Sequence, residues 1–169
     1  MCKISMFCER SGGVNILVIS DTHRNIAPAM QLIETKSPDY VIHLGDVAAD
    51  CDLLQRMYPK QKLIAVLGNN DFRCSPDTYP LERVAELGGK RFFLCHGHTV
   101  QVKYTLSTLL TKGRGANADM VLYGHTHQPY LANESGMMVM NPGSTSTYGW
   151  ITIENDNINA RVLPVVWEG

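Results

Sequence analysis

Short apolar runs that stop abruptly in polar clusters set the pattern of this chain. Residues 15–20 (Asn-Ile-Leu-Val-Ile-Ser) lead into Asp21-Thr22-His23. Residues 40–44 stop at Gly45-Asp46, and residues 62–67 stop at Gly68-Asn69-Asn70-Asp71. These runs are short, β-branched and free of alternation, which predicts parallel strands buried on both faces. Helical patterns lie between them. Asn25 is placed as a helix N-cap with Pro28 in the first turn; the helix carries Met30, Leu32 and Ile33 inward and ends before Ser37-Pro38. A second, short helix is expected over about residues 50–57, where Asp50 and Asp52 suit the helix dipole as capping acids rather than metal ligands. Strand, polar loop, then helix or turn, repeated, is the pattern of a parallel sheet.

The second half changes character. Residues 81–87 and 90–95 flank Gly88-Gly89 and read as a β-hairpin that ends at His96-Gly97-His98. A helix over about residues 105–112 is closed by Gly113. A strand over residues 120–123 stops at Gly124-His125-Thr126-His127. Two more hairpins follow, 129–132 with 137–140 and 150–154 with 160–163. The Met137-Met138-Val139-Met140 run is read as edge-strand core, and Asn141-Pro142-Gly143-Ser144 as a turn. Mixed parallel and hairpin strands with few helices predict two packed β-sheets with helices outside, in a single domain over residues 14–169. Residues 1–13, with Ser-Gly-Gly and no clear period, are read as a flexible N-terminal extension.

Composition narrows the class without naming the chemistry. The chain has 169 residues, 44% hydrophobic and 18% charged, ordinary for a soluble domain. A net charge of −1 argues against an extended nucleic-acid groove. No run is long enough to span a bilayer. No secretory signal precedes Glu9-Arg10, so a cytoplasmic location is expected. The 5 cysteines, Cys2, Cys8, Cys51, Cys74 and Cys95, match no zinc or redox spacing. Cys51 and Cys95 are read as small core residues, and Cys74 as a minor candidate for the pocket.

Candidate chemistry lies at the strand ends. All but one of the 6 histidines fall in the polar clusters there. His43, inside a strand, is read as a core or supporting residue. Parallel strand ends converge in space, so the clusters should form one site. Imidazole nitrogens mixed with carboxylate and amide oxygens suit Mn, Fe, Zn, Co or Ni, and are too nitrogen-rich for Mg or Ca alone.

The order Asp-x-His, Gly-Asp, Gly-Asn-x-Asp, His, Gly-His-x-His resembles the calcineurin-like metallophosphoesterase superfamily. The resemblance covers about residues 14–145 and is closest to its small single-domain phosphodiesterase branch. It implies a four-layer α/β/β/α sandwich with two divalent metal ions, Mn foremost and Ni, Co, Zn or Fe as alternatives. Asp21, His23 and His127 would hold one ion, and Asn69, His96 and His125 the second. Asp46 would bridge them. Two ions about 3.5–4 Å apart clamp a phosphoryl group and acidify a bridging water, whose hydroxide attacks phosphorus in line. Asp46, Asn69 and His98 are therefore the catalytic candidates.

One position departs from the superfamily pattern. Its phosphomonoesterases carry a histidine right after the motif asparagine, read as the acid for the leaving group. This chain has Asn70 there, which cannot supply the proton. The expectation is a phosphodiesterase acting on a small phosphodiester. His98 could partly replace the missing acid, and a supporting or pocket-wall role is an equal alternative. Asp71 is expected to orient a ligand. Arg24 could contact a substrate phosphate, or be a solvated loop residue. Relatives in this branch are often dimers or tetramers, so the resemblance implies a homo-oligomer. Two alternatives remain: a non-catalytic protein-binding scaffold like the retromer subunit of this fold, and a nuclease or cyclic-nucleotide phosphodiesterase.

Overall fold

The first strand, β1 (Val14–Ile19), shows why the apolar runs do not alternate. Its Ile16 and Val18 pack into one core cluster, while Leu17 and Ile19 pack into another on the opposite face. A strand covered on both faces needs apolar residues at every position. The computed structural model describes residues 13–71 and 77–167. The N-terminal extension up to residue 12, with Cys2 and Cys8, lies outside the described residues, as does Cys74.

β1 sits mid-sheet. It pairs in parallel with β2 (Tyr40–His43), which pairs in parallel with β3 (Lys62–Ala65). On its other side runs β9 (Thr147–Glu154), antiparallel, followed by β10 (Asn157–Pro164). The first sheet therefore has the order β10-β9-β1-β2-β3. The second is built from β4 (Glu82–Leu87), β5 (Lys90–Cys95), β6 (Met120–Leu122), β7 (Tyr130–Glu134) and β8 (Met137–Asn141), ordered β4-β5-β6-β8-β7. Its strands β5, β6 and β8 are parallel.

The sheets pack face to face. Ile16, Val18, Ile42, Leu44 and Ile151 from the first meet Phe92, Leu94, Met120, Leu122 and Met140 from the second. Burying each such side chain stabilises by roughly 1.5–3 kcal/mol. Helices α1 (Ala27–Lys36) and α2 (Ala49–Met57) cover the outer face of the first sheet through Leu32, Ile33 and Leu54. Helix α3 (Ser107–Gly115) covers the second through Leu109, against Phe93, Val121 and Val139. This is the expected four-layer α/β/β/α sandwich. The three hairpin connections, Gly88-Gly89, Ser135-Gly136 and Asn155-Asp156, each place two residues at positive φ. Such turns match the right-handed twist of the flanking strands.

Three local expectations need correction. Asn25 does not cap α1: Ile26 occupies the N-cap with no side-chain bond, and the Asn25 N–H donates to Thr22 O at 2.8 Å. The residues before the helix are consumed in a turn that serves the site. Gly113 does not close α3, which runs on to Gly115. A Cβ on Gly113 would stand 2.5 Å from Val121 Cγ2, so the glycine lets helix and sheet approach. The methionine-rich strand β8 is interior, because β7 pairs along its outer side; Met137, Val139 and Met140 are buried as expected.

Candidate metal centre

The carboxyl ends of β1, β2 and β3 and of β5, β6 and β8 meet at one edge of the sandwich. Asp21 follows β1 and is buried. Its Oδ2 accepts from Ser20 Oγ at 2.6 Å and from His125 N–H at 3.1 Å. Its Oδ1 is buried and has no hydrogen-bond partner. His127 Nε2 stands 3.1 Å from that oxygen, and His23 Nε2 stands 3.4 Å from His127 Nε2. Donor atoms of Asp21, His23 and His127 thus face one another, and those of Asp21, Asp46 and His96 form a second group.

Asp46, at the end of β2, is buried and held from several sides. Its Oδ1 accepts the Asn70 backbone N–H at 2.9 Å and its Oδ2 the Asn70 side-chain amide at 2.7 Å. Burial pushes the Asp46 carboxyl up, but the Asn70 bonds and the neighbouring His96 and His23 outweigh it and leave it below the usual range. Asp71 accepts the backbone N–H groups of Asp46 at 3.0 Å, Ala48 at 2.6 Å and Gly68 at 2.7 Å. It therefore shapes the loop that carries Asp46 rather than touching a ligand side chain.

His96, after β5, lies with Nδ1 2.7 Å from Leu44 O. A carbonyl only accepts, so Nδ1 carries a proton, and Nε2 is turned inward. There Nε2 meets Asn69 Oδ1 at 3.1 Å, Asp46 Oδ1 at 3.6 Å and Asp21 Oδ1 at 3.9 Å. A ring nitrogen surrounded by oxygens, beside an orphaned carboxylate oxygen, is an arrangement a cation satisfies. The donor set fits divalent transition metals.

His125 stacks edge-on to His96 with ring centroids 5.0 Å apart. Burial lowers its pKa to about 4, with His96, Lys103 and His98 adding to the effect. His98 lies 5.4 Å from the His96 ring, and its Nδ1 is buried without a partner. Burial, then His96, lowers its pKa as well. His125 falls in neither of the two tight groups of acids and imidazoles, although its ring adjoins His96, and Asn69 Oδ1 lies 3.1 Å from His96 Nε2. Asp21, His23, Asp46, His125 and His127 all have positive φ. Such strain in non-glycine residues gathers where surrounding structure holds a site in place.

Several supporting residues carried little signal in the sequence. Asn141 donates to Gly124 O and to Thr126 Oγ1, both at 2.9 Å, and so clamps the His125 loop. Thr22 donates to Asp50 Oδ2 at 2.6 Å, and Arg24 N–H donates to the same oxygen at 2.9 Å. Asp50 thus anchors the loop of Asp21 and His23 from the first turn of α2, where Asp50 and Asp52 both lie as expected. Asp52 accepts from Tyr79 OH at 2.5 Å. Arg24 is exposed. His43 is fully buried between Thr22 Oγ1, 3.0 Å from Nε2, and Gly45 N–H, 3.1 Å from Nδ1. Cys51 and Cys95 are both buried.

Two sheets packed under helices, with acids and imidazoles collected at their joint carboxyl edge, define a metallophosphoesterase architecture. The chain belongs to the calcineurin-like phosphoesterase superfamily, whose domain profile matches residues 14–153. It is 27% identical over 166 residues to a probable metallophosphoesterase of Methanocaldococcus jannaschii, covering 91% of this chain and 83% of that protein. A phosphodiesterase of the same organism is 29% identical over 150 residues, covering 80% and 86%. Among solved structures, a Streptococcus pneumoniae protein described as a predicted phosphoesterase superposes with a TM-score of 0.74 at 26% identity, covering 89% of both chains. Vacuolar protein sorting 29 from Cryptosporidium parvum superposes with a TM-score of 0.71 at 19% identity, covering 90% of this chain and 97% of its own; that likeness shows the fold alone. The family is metal-dependent, and the chain carries candidate ligand groups for it. No helix among the described residues is long and apolar enough to cross a membrane.

Proposed function

We propose that this chain is a phosphodiesterase whose centre holds two divalent cations, manganese foremost, on Asp21, His23, Asp46, Asn69, His96, His125 and His127. The observation that carries this reading is the buried, unpartnered Oδ1 of Asp21 with His127 Nε2 3.1 Å away. Bound cations there would polarise the phosphoryl group and generate a hydroxide nucleophile from water. The chain's own residues bind and orient. Leu44 O fixes the tautomer of His96, and Asp71 pins the backbone of Asp46. Asn70 holds both Asp46 oxygens and offers no acid for an alkoxide, which favours diesters with stable leaving groups. We assign the leaving-group contact to His98, whose buried Nδ1 lacks a protein partner. The phosphodiesterase-named relative from Methanocaldococcus jannaschii supports the choice of diester over monoester.

The test measures metal content and hydrolysis of bis(p-nitrophenyl) phosphate with Mn, Ni, Co, Zn and Mg. About two ions per chain with turnover are expected. Asp46→Asn should lower that turnover more than about a hundredfold, since removing even a supporting residue costs 10–100-fold. Wild-type turnover in Asp46→Asn would remove the bridging assignment. A metal-free, inert protein would favour the binding scaffold.

A further inference from the structure

A pocket of about 540 Å³ opens beside the metal centre. One wall comes from the segment after the His98 turn, with Val102, Lys103 and Leu106. The other comes from the loop that carries His125 and His127, with Thr126, Pro129 and Tyr130. Thr126 lies between two candidate ligands, so pocket and centre share that loop. The loop is tied down, because Thr126 Oγ1 accepts from Asn141 Nδ2 at 2.9 Å and from Gln128 N–H at 3.3 Å.

The pocket has two chemical faces. Val102, Leu106, Pro129 and the Tyr130 ring are apolar, and the Tyr130 hydroxyl is already engaged, donating to Glu134. Lys103 is exposed, and no described carboxylate pairs with it. Lys103 stands on one wall, facing the wall whose Thr126 is flanked in the chain by His125 and His127. A cation beside a phosphate site, next to an apolar recess, matches an organic phosphate ester.

We propose that this pocket receives an aromatic ester group of the phosphodiester substrate while Lys103 pairs with its phosphate. The proposal rests on the phosphodiesterase reading above and adds a substrate class to it. A free phosphate or a small dialkyl diester has nothing to place between Leu106 and Pro129. A flat aryl group buries apolar area there.

The test is calorimetric binding of diphenyl phosphate and dimethyl phosphate to the full chain, with metal loaded. Diphenyl phosphate should bind about tenfold tighter or better. Gln128→Trp, which fills the pocket, should cut that ratio below about threefold. Leu106→Ala, which removes an apolar wall, should lower it in the same direction and covers the case in which the tryptophan variant fails to fold. A wild-type ratio below about threefold, no detectable diphenyl phosphate binding, or a ratio unchanged in both variants overturns the proposal. Failure of the two readings is separable. Absence of bis(p-nitrophenyl) phosphate hydrolysis with every metal overturns the phosphodiesterase reading and, with it, the assignment of the aryl group to a substrate, while the binding ratio still decides whether the pocket takes an aryl group. Hydrolysis with a ratio near one overturns the pocket alone.

Discussion

At the scale of single residues, the centre depends on what is missing as much as on what is present. A Cβ on Gly124 would stand 2.0 Å from Ser20 Oγ and 2.9 Å from Asp21 Oδ2. A Cβ on Gly68 would stand 2.1 Å from Asp46 Oδ1. Both glycines are therefore contact surfaces for a buried carboxylate. Gly124→Ala should destabilise the fold by about 1–3 kcal/mol, the cost of overpacking. Metal affinity should also fall, because Asp21 is displaced; a urea transition and a metal titration measure the two effects, and an unchanged affinity would take Asp21 out of the centre. Asn70 makes a different case. Its amide bonds Asp46 Oδ2 at 2.7 Å, so Asn70→His removes a support while adding an imidazole. Total turnover should drop, while the ratio of alkyl monoester to diester hydrolysis rises; an unchanged ratio would end the leaving-group argument. The acids, imidazoles and glycines of the site were legible in the sequence because their chemistry is carried by residue type and spacing. Asn141 and Asp50 were not, because a buried carboxamide in a turn and an acid in a first helical turn look ordinary until their long-range partners are known.

At the scale of elements, the strands were legible and their ends and neighbours less so. Apolar runs such as residues 16–19 and 92–95 mark buried strands. The order of strands in the second sheet depends on which edge β7 covers, which no local pattern encodes, and so β8 was misplaced to an edge. The cap of α1 differs from the expected Asn25 for a related reason: residues 22–25 have cap chemistry but serve the loop. His43 shows the energetic side of such placement. Gly45 N–H donates to its Nδ1, which leaves Nε2–H to donate to Thr22 Oγ1, whose own proton goes to Asp50. The ring is thus neutral. Burial lowers its pKa from 6.5 to about 4, against the pull of Asp50, Asp71 and Asp21. The unfolded chain takes up this proton near pH 6.5 and the folded chain does not until about pH 4. Stability is therefore complete above 6.5 and falls as pH drops toward 4, by about 3 kcal/mol for this group. Denaturant midpoints of the chelated protein at pH 7 and pH 4.5 check the sign. His43→Gln should flatten the pH slope by one proton's worth, and an unaltered slope would show that His43 titrates normally.

At the scale of the whole molecule, the centre is the place where the two sheets are joined by polar chemistry. Asp21, His23, Asp46 and Asn69 follow strands of the first sheet; His96, His125 and His127 follow strands of the second. Elsewhere the sheets meet through an apolar interface of Ile16, Val18, Phe92, Leu94 and their neighbours. Bound cations would add a cross-link between layers, absent from the unfolded chain. A ligand that binds only the folded state stabilises by RT ln(1 + [L]/Kd), about 2.7 kcal/mol at a hundredfold excess over Kd. For a domain of this size each kcal/mol moves Tm by roughly 2–8 °C. Adding Mn to chelated protein should then raise Tm by about 5 °C or more, and a chelator should reverse it. Asp46→Asn should lose most of the rise, because its carboxylate lies 3.6 Å from His96 across the joint between the layers. A full rise in that variant would place the cations on one sheet alone, and Asp46 would then be a loop support held by Asn70 rather than the residue that couples the two halves of the fold.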